Sequence, residues 1–149
     1  NVEFAWLMIR AQKVLGKTPA WDHFYALLNH ALTYGYDHKR GGLYNFGEDD
    51  KPASQTDKVW WSQAEMMAAL TDALVQSPNA EYEIALKKLL NFAATFMTEP
   101  SSGVWFDTVT ANGRVKKAGK AHNWKANYHD VRAMVKFIEA FSSEQGQHL

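Results

Sequence analysis

The sequence contains no cysteine. Disulfide scaffolds, zinc ribbons and thiol catalysis are thereby excluded. It carries no charge surplus either, with 16 Lys+Arg against 16 Asp+Glu. Electrostatic binding of nucleic acid needs a basic excess to displace counterions, so no nucleic-acid partner is expected. No apolar run is long enough for a transmembrane helix, and no basic start leads into an apolar core as in a signal peptide. These absences predict a soluble, cytoplasmic protein without a membrane partner. At 149 residues and 46% hydrophobic, the chain is expected to form one domain over 1–149. A chain of this size buries most of its apolar surface without help from metal or disulfide.

What is present is aromatic. Phe, Trp and Tyr make up 13%, including six Trp, several of them beside Glu, His, Lys or Arg. Asn1 is followed at once by a helical pattern, so the chain is expected to begin inside an element, as a fragment does. Phe4, Leu7, Met8, Ala11 and Leu15 recur at helical spacing over 2–15, and Gly16 stops the run. Thr18 and Pro19 predict a capped second helix that ends at Gly35. Residues 36–56 read as loop. Asp57 is placed to cap a third helix over 58–76, which Ser77-Pro78-Asn79 breaks. A fourth helix is predicted over 80–98, a second long loop over 99–122, and a last helix over 125–143. LYNF (43–46) and VWFDTV (104–109) alternate enough for small hairpins.

Loops and helices repeat. GGLYNF leads through an acidic loop to DKVWW and a helix. SGVWFDTV leads through an Asn-Gly turn and a basic loop to HNWK and a helix. A repeated helix pair of this kind cannot bury both faces alone, and stacking such pairs into a ring solves the problem. The predicted class is all-α, an α/α toroid with its long loops at one end. A plain bundle prefers shorter connections.

Three clusters carry candidate chemistry. Trp61 and Glu65 are four apart, on one helix face, where a sugar ring stacks on the indole and its hydroxyls donate to the acid. Packing is the plainer reading of the tryptophans, but a Glu on the nearly apolar helix EMMAAL is seldom left bare. His129 and Arg132 are three apart on the last helix, flanked by Trp124 and Tyr128, and pair an acid–base group with an oxyanion or hydroxyl donor. A hydrogen-bonded filler is the plainer reading of that His. His122 and His129 are a weak metal candidate, since no carboxylate completes the set at helical spacing. Glu3, Trp6 and Arg10 share a face, as a solvated helix edge with one packed Trp also does. No phosphate loop, nucleophile elbow or HExxH is present.

Together these segments resemble one family. DKVWWSQAE resembles the WW-x-QAE segment of the N-acylglucosamine 2-epimerase and cellobiose 2-epimerase superfamily. WKANYHDVRA resembles its WK-x-x-YH-x-x-R segment, and NVEFAWL the tail of its H-x-x-E-x-x-W segment. GGLYNF and SGVWFDTV are similar to its inter-helix loops in order and spacing. The resemblance implies the C-terminal portion of an (α/α)6 barrel, about five helices. It implies that His129 moves the proton at sugar C2 and that Glu3 holds the substrate and assists ring opening or proton traffic. It also implies that Glu65 contacts sugar hydroxyls, Trp61 and Trp124 stack on or border the sugar, Arg132 supports the His or the oxyanion, and Trp6 lines the pocket.

The implied reaction opens a mono- or disaccharide to its aldehyde and removes the C2 proton to an enediolate. Return of the proton to the opposite face gives the epimer, and return to C1 gives the ketose; neither needs a metal or cofactor. The family's second histidine falls just upstream of Asn1, and two departures from the Cys-Pro of some members stand at Ala126-Asn127. The chain alone is therefore expected to be inactive. Its open helix faces predict a homo-oligomer. A non-catalytic sugar-binding module, an aldose–ketose isomerase, a glycoside hydrolase with Glu3 opposed to Glu65 and a helical scaffold without a pocket remain alternatives at this point.

Overall fold

The computed structural model describes residues 1–142. Five α-helices carry the chain: α1 (Val2–Val14), α2 (Trp21–Tyr34), α3 (Trp60–Gln76), α4 (Ala80–Phe92) and α5 (Tyr128–Ser142). Three short strands, β1 (Lys58–Val59), β2 (Thr108–Val109) and β3 (Val115–Lys117), form an antiparallel sheet in that order. Among the described residues no helix is long and apolar enough to cross a membrane.

The core forms around α3. Its sequence, WWSQAEMMAALTDALVQ, is apolar or small on every side, which suits a helix enclosed by others. It packs against α1, α4 and α5, and Ala64 through Leu70 are buried without interruption. The neighbours present narrower stripes: Ala5, Trp6 and Ile9 of α1, Phe24 and Leu28 of α2, and Leu86, Leu89 and Phe92 of α4 are buried.

Helix limits depart from expectation where distant groups intervene. The second helix starts at Trp21, not at Thr18-Pro19, because the Gln12 side chain of α1 accepts the Ala20 amide at 2.8 Å. Asp57 does not cap α3. Lys58 and Val59 pair first with Val109 and Thr108, the Trp60 amide donates to the Asp107 carbonyl at 2.9 Å, and Asp57 pairs with Lys116. Asn79 does cap α4, accepting from the amides of Glu81 and Tyr82 at 2.9 and 3.2 Å. That helix stops at Phe92, short of the expected residue 98. The wider π-helical turn Ala93–Met97 follows, closed by the Thr98 amide and hydroxyl on the Ala93 carbonyl. The last helix starts at Tyr128 rather than 125; position 143, its expected end, lies outside the described residues.

The expected hairpins at 43–46 and 104–109 are not self-contained. Tyr36 bridges Leu43, Phe46 bridges Gln55, and Thr98 bridges Trp105, while β1 from the first long loop pairs with β2 from the second. This pairing gathers both loops at one end of the helices. Gly41 makes the first loop's tightest approach. Its φ is +86°, and a Cβ there would lie 2.2 Å from the Lys88 carbonyl oxygen, so only glycine fits without a backbone shift.

Candidate active site

Glu65 is the centre of the site. It lies on the enclosed helix α3 and is 0% exposed. Burying a carboxylate costs several kcal/mol unless it is paired and hydrogen-bonded, and here three donors from two other helices meet it. The Trp6 indole of α1 donates to Oε2 at 2.6 Å. The His129 Nδ1 of α5 lies 2.6 Å from Oε1. The Arg132 guanidinium, one turn further along α5, donates to the same oxygen. The i, i+3 spacing of His129 and Arg132 places both on the α5 face that packs on α3.

Aromatic rings hold the guanidinium. Arg132 lies with its central carbon 4.2 Å from the centre of the Trp6 ring and 4.6 Å from that of Tyr128, and it donates to the Tyr128 hydroxyl at 2.9 Å. Such cation–π contacts fix a charged group without consuming its hydrogen bonds. Trp61 approaches His129 with ring centres 6.2 Å apart, and Tyr128 meets the same imidazole edge-on at 5.1 Å. Glu3 completes the group: one atom each of Glu3, Glu65 and His129 lie within 4.8 Å of one another.

These groups bear on the expected roles. Glu3, Trp6, Trp61, Glu65, His129 and Arg132 come together from α1, α3 and α5. Trp124 takes no part in the contacts around Glu65 and stands 86% exposed. Glu65 has no exposed surface, and its two oxygens meet three protein donors. Arg10 is exposed and lines a cavity of about 380 Å³ beside the site with Trp6, Ala68, Arg132 and Lys136. Volumes in this range admit small ligands. His122 and His129 do not meet: His122 is bonded to Asp107 at 2.6 Å.

The Glu3–Glu65–His129 group has the donor set of a cation site. Arg132 already balances Glu65, however, and a metal on that carboxylate must compete with a fixed guanidinium. The donor chemistry suits proton transfer better. Tyr128 is the residue that spacing alone undervalued. Its place one turn before Arg132, aromatic and hydroxyl-bearing, was the available signal.

The signature of the N-acylglucosamine 2-epimerase family matches residues 1–133. The chain belongs to that family. Its relatives include the cellobiose 2-epimerase of Eubacterium cellulosolvens, 21% identical over 141 residues, which cover 94% of this chain and 35% of the relative. Among solved structures, the cellobiose 2-epimerase of Bacillus thermoamylovorans B4167 superposes with a TM-score of 0.81 at 27% identity, covering 93% of this chain and 36% of that one. A D-mannose isomerase superposes with a TM-score of 0.84 at 23% identity, covering 94% and 36%. The chain thus spans about a third of the length of these relatives. The fold is that of the α/α toroid, as the repeats predict, and the superfamily is that of the sugar epimerases and isomerases.

Proposed function

We propose that this chain carries part of the active site of a carbohydrate 2-epimerase, in which His129 moves the proton at C2 of a ring-opened sugar. The observation that carries this reading is the Glu65–His129 contact. With Nδ1 held by a buried carboxylate, the imidazole keeps its proton on that side and offers Nε2 as the base. Glu65 orients the ring, and the resident charge of Arg132 balances Glu65. Glu3 is the acid available to hold a hydroxyl or carry a proton during ring opening. Trp61 supplies an indole face for the sugar, and Trp6 walls the pocket.

The chemistry follows from one base. His129 Nε2 takes the C2 proton, and the electron pair becomes the enediolate. Nearby donors, Arg132 and Tyr128 among them, stabilise charge on the oxygen. Inversion at C2 needs a second proton donor on the opposite face. His129 is the single imidazole at the Glu65 cluster among the described residues, so binding is expected from this chain and epimer formation is not. Return of the proton to C1 gives an aldose–ketose isomerase instead, a reading that the fold shared with a D-mannose isomerase keeps open.

The test is a titration of the 149-residue chain with D-mannose, N-acetylmannosamine and cellobiose, followed by NMR. The Trp6 indole N–H and the His129 ring are expected to shift together with at least one sugar. Sugar-induced shifts confined to other residues, or none at all, would overturn the site. Epimer formation by this chain alone would overturn the two-base requirement.

The same two helices expose apolar side chains: Phe4 and Leu7 on α1, and Val131, Met134, Val135 and Ile138 on α5. A toroid covers such faces with further helices. In a chain that spans about a third of its relatives, a second copy is the proposed cover. Sedimentation is expected to show a dimer or larger closed assembly that Val135→Glu dissociates; a monomer at high protein concentration would overturn this.

A further inference from the structure

A second histidine–carboxylate pair lies outside the Glu65 cluster. Asp107, buried just before β2, accepts a hydrogen bond from the Thr108 hydroxyl and meets His122 Nε2 at 2.6 Å through its other oxygen. Burial pushes the Asp107 carboxyl up, but Thr108 and His122 outweigh it and hold the group below the ordinary carboxylate range. The other ring nitrogen of His122 is also engaged: Nδ1 accepts the backbone N–H of Trp124 at 3.2 Å. An accepting Nδ1 carries no proton, so Nε2 carries it and donates to Asp107. Both contacts fix one tautomer.

The surroundings turn this ring into an anchor. The buried Trp60 indole meets it edge-on, ring centres 5.6 Å apart. His122 and Lys125 exchange both backbone hydrogen bonds, at 3.3 and 3.0 Å, closing a tight turn around Trp124. The buried Lys125 ammonium bonds the Lys120 carbonyl at 3.0 Å and lies 5.6 Å from the centre of the Trp60 ring. The turn is therefore tied to β2 and to the first residue of α3, while the Trp124 side chain at its tip stays 86% exposed. An indole so exposed on so firmly tied a turn gains nothing from packing. That combination is what a presented ligand contact looks like.

We infer that Asp107 and His122 are positioning residues that hold the 122–125 turn so that Trp124 is presented as a stacking platform for the sugar. The inference rests on the reading of the site as a sugar site. It separates into a mechanical part, the hold on Trp124, and a functional part, the effect on sugar.

Two variants split the two ends of the ring. An asparagine carbonyl reaches about where Nδ1 stands, so His122→Asn keeps an acceptor for the Trp124 amide. A glutamine amide reaches toward Asp107, so His122→Gln keeps that contact and gives up the acceptor. In the full 149-residue chain, amide hydrogen exchange at Trp124 is expected to quicken about threefold to tenfold in His122→Gln, which gives up the acceptor, the value of one hydrogen bond. It is expected to quicken measurably in His122→Asn, which gives up the Asp107 tie; wild-type exchange in His122→Asn would overturn the part of Asp107. Affinity for the sugar that shifts Trp6 is expected to fall about threefold to tenfold in His122→Gln, with no further fall when Trp124 is already alanine.

Unchanged Trp124 exchange in His122→Gln would overturn the hold. Quickened exchange with unchanged affinity would overturn the positioning role. An equal affinity loss with and without the Trp124 ring would overturn the route through Trp124. If no sugar binds the wild-type chain, the exchange data still decide the hold, and the sugar-site reading alone fails.

Discussion

Glu65→Ala is expected to cost the protein about 3–5 kcal/mol, the penalty for breaking a buried pair by removing one partner. Three donors lose their acceptor at once: the Trp6 indole, the His129 imidazole and the Arg132 guanidinium. The guanidinium suffers most, because it is a fixed charge on a side chain only 20% exposed, and a stranded charge costs more than a stranded neutral donor. Loss of a methylene and carboxylate from an enclosed helix adds a cavity term. For a domain of about 150 residues each kcal/mol lowers the midpoint of thermal unfolding by about 2–4 °C. A loss below about 1 kcal/mol in urea melts would show that Glu65 does not hold these donors together.

Glu65→Gln covers the case in which the alanine variant does not fold. The amide fills the same space and keeps one acceptor oxygen, but it turns a second donor toward groups that are themselves donors. This variant is expected to fold with reduced stability and to lose the coupled response of Trp6 and His129 to sugar. Retained sugar response at wild-type affinity would mean that orientation of His129 by the carboxylate is unnecessary for binding.

The two halves of this cluster were unequally legible in the sequence. The pairs Trp61/Glu65 and His129/Arg132 are local, four and three residues apart, and helical geometry alone puts each pair on one face. The enclosure of α3 is equally local, written in small and apolar residues all round. That Trp6 meets Glu65 across 59 positions, and His129 across 64, has no spacing rule to announce it. The same distinction explains the misplaced helix starts. Thr18-Pro19 and Asp57 are sound local start signals, but Gln12 satisfies the amide at Ala20 and strand pairing with β2 claims Lys58 and Val59. Asp107 had a faint signal, a lone acid in the alternating run VWFDTV. Its partner His122 was singled out only with His129, as a weak metal pair, and nothing local tied it to Asp107.

Asp37→Ala is the second large effect, and its size is set by what it strands. Lys58 opens β1, two residues before α3, and its side chain is 0% exposed. Its ammonium bonds Asp37 at 2.8 Å and the Gly41 carbonyl at 2.6 Å, and lies 3.8 Å from the centre of the Phe92 ring. Asp37 in turn accepts the amides of Lys39 and Arg40 at 3.0 and 2.9 Å. Burial pushes the Lys58 ammonium below its ordinary 10.5, and Asp37 resists that fall. Burial pushes the Asp37 carboxyl up, but Lys58 and the two amides outweigh it and hold it below 3.8. Removing the carboxylate leaves a buried cation with a carbonyl and an aromatic face, at a cost of about 3–5 kcal/mol. Lys58→Met is expected to cost less, because Asp37 keeps both amides.

The pH dependence separates the two variants. A carboxyl whose pKa is lowered on folding stabilises the protein above its unfolded value and loses that contribution as pH falls through its folded value. Wild type is thus expected to lose the Asp37 contribution below about pH 3.8, and Asp37→Ala to lack that acid-side loss. A lysine whose pKa is lowered on folding acts in the opposite sense. The unfolded chain binds the extra proton between the folded value and 10.5, so stability rises with pH across that window. Without Asp37 the lowering deepens and the window widens downward. The Asp37→Ala variant should therefore regain stability from neutral pH toward pH 10, more steeply than wild type, while Lys58→Met shows no such rise from this site. Urea melts of the three proteins over that range decide it. A parallel slope in Asp37→Ala and Lys58→Met would show that the stranded ammonium is not what the loss of Asp37 exposes.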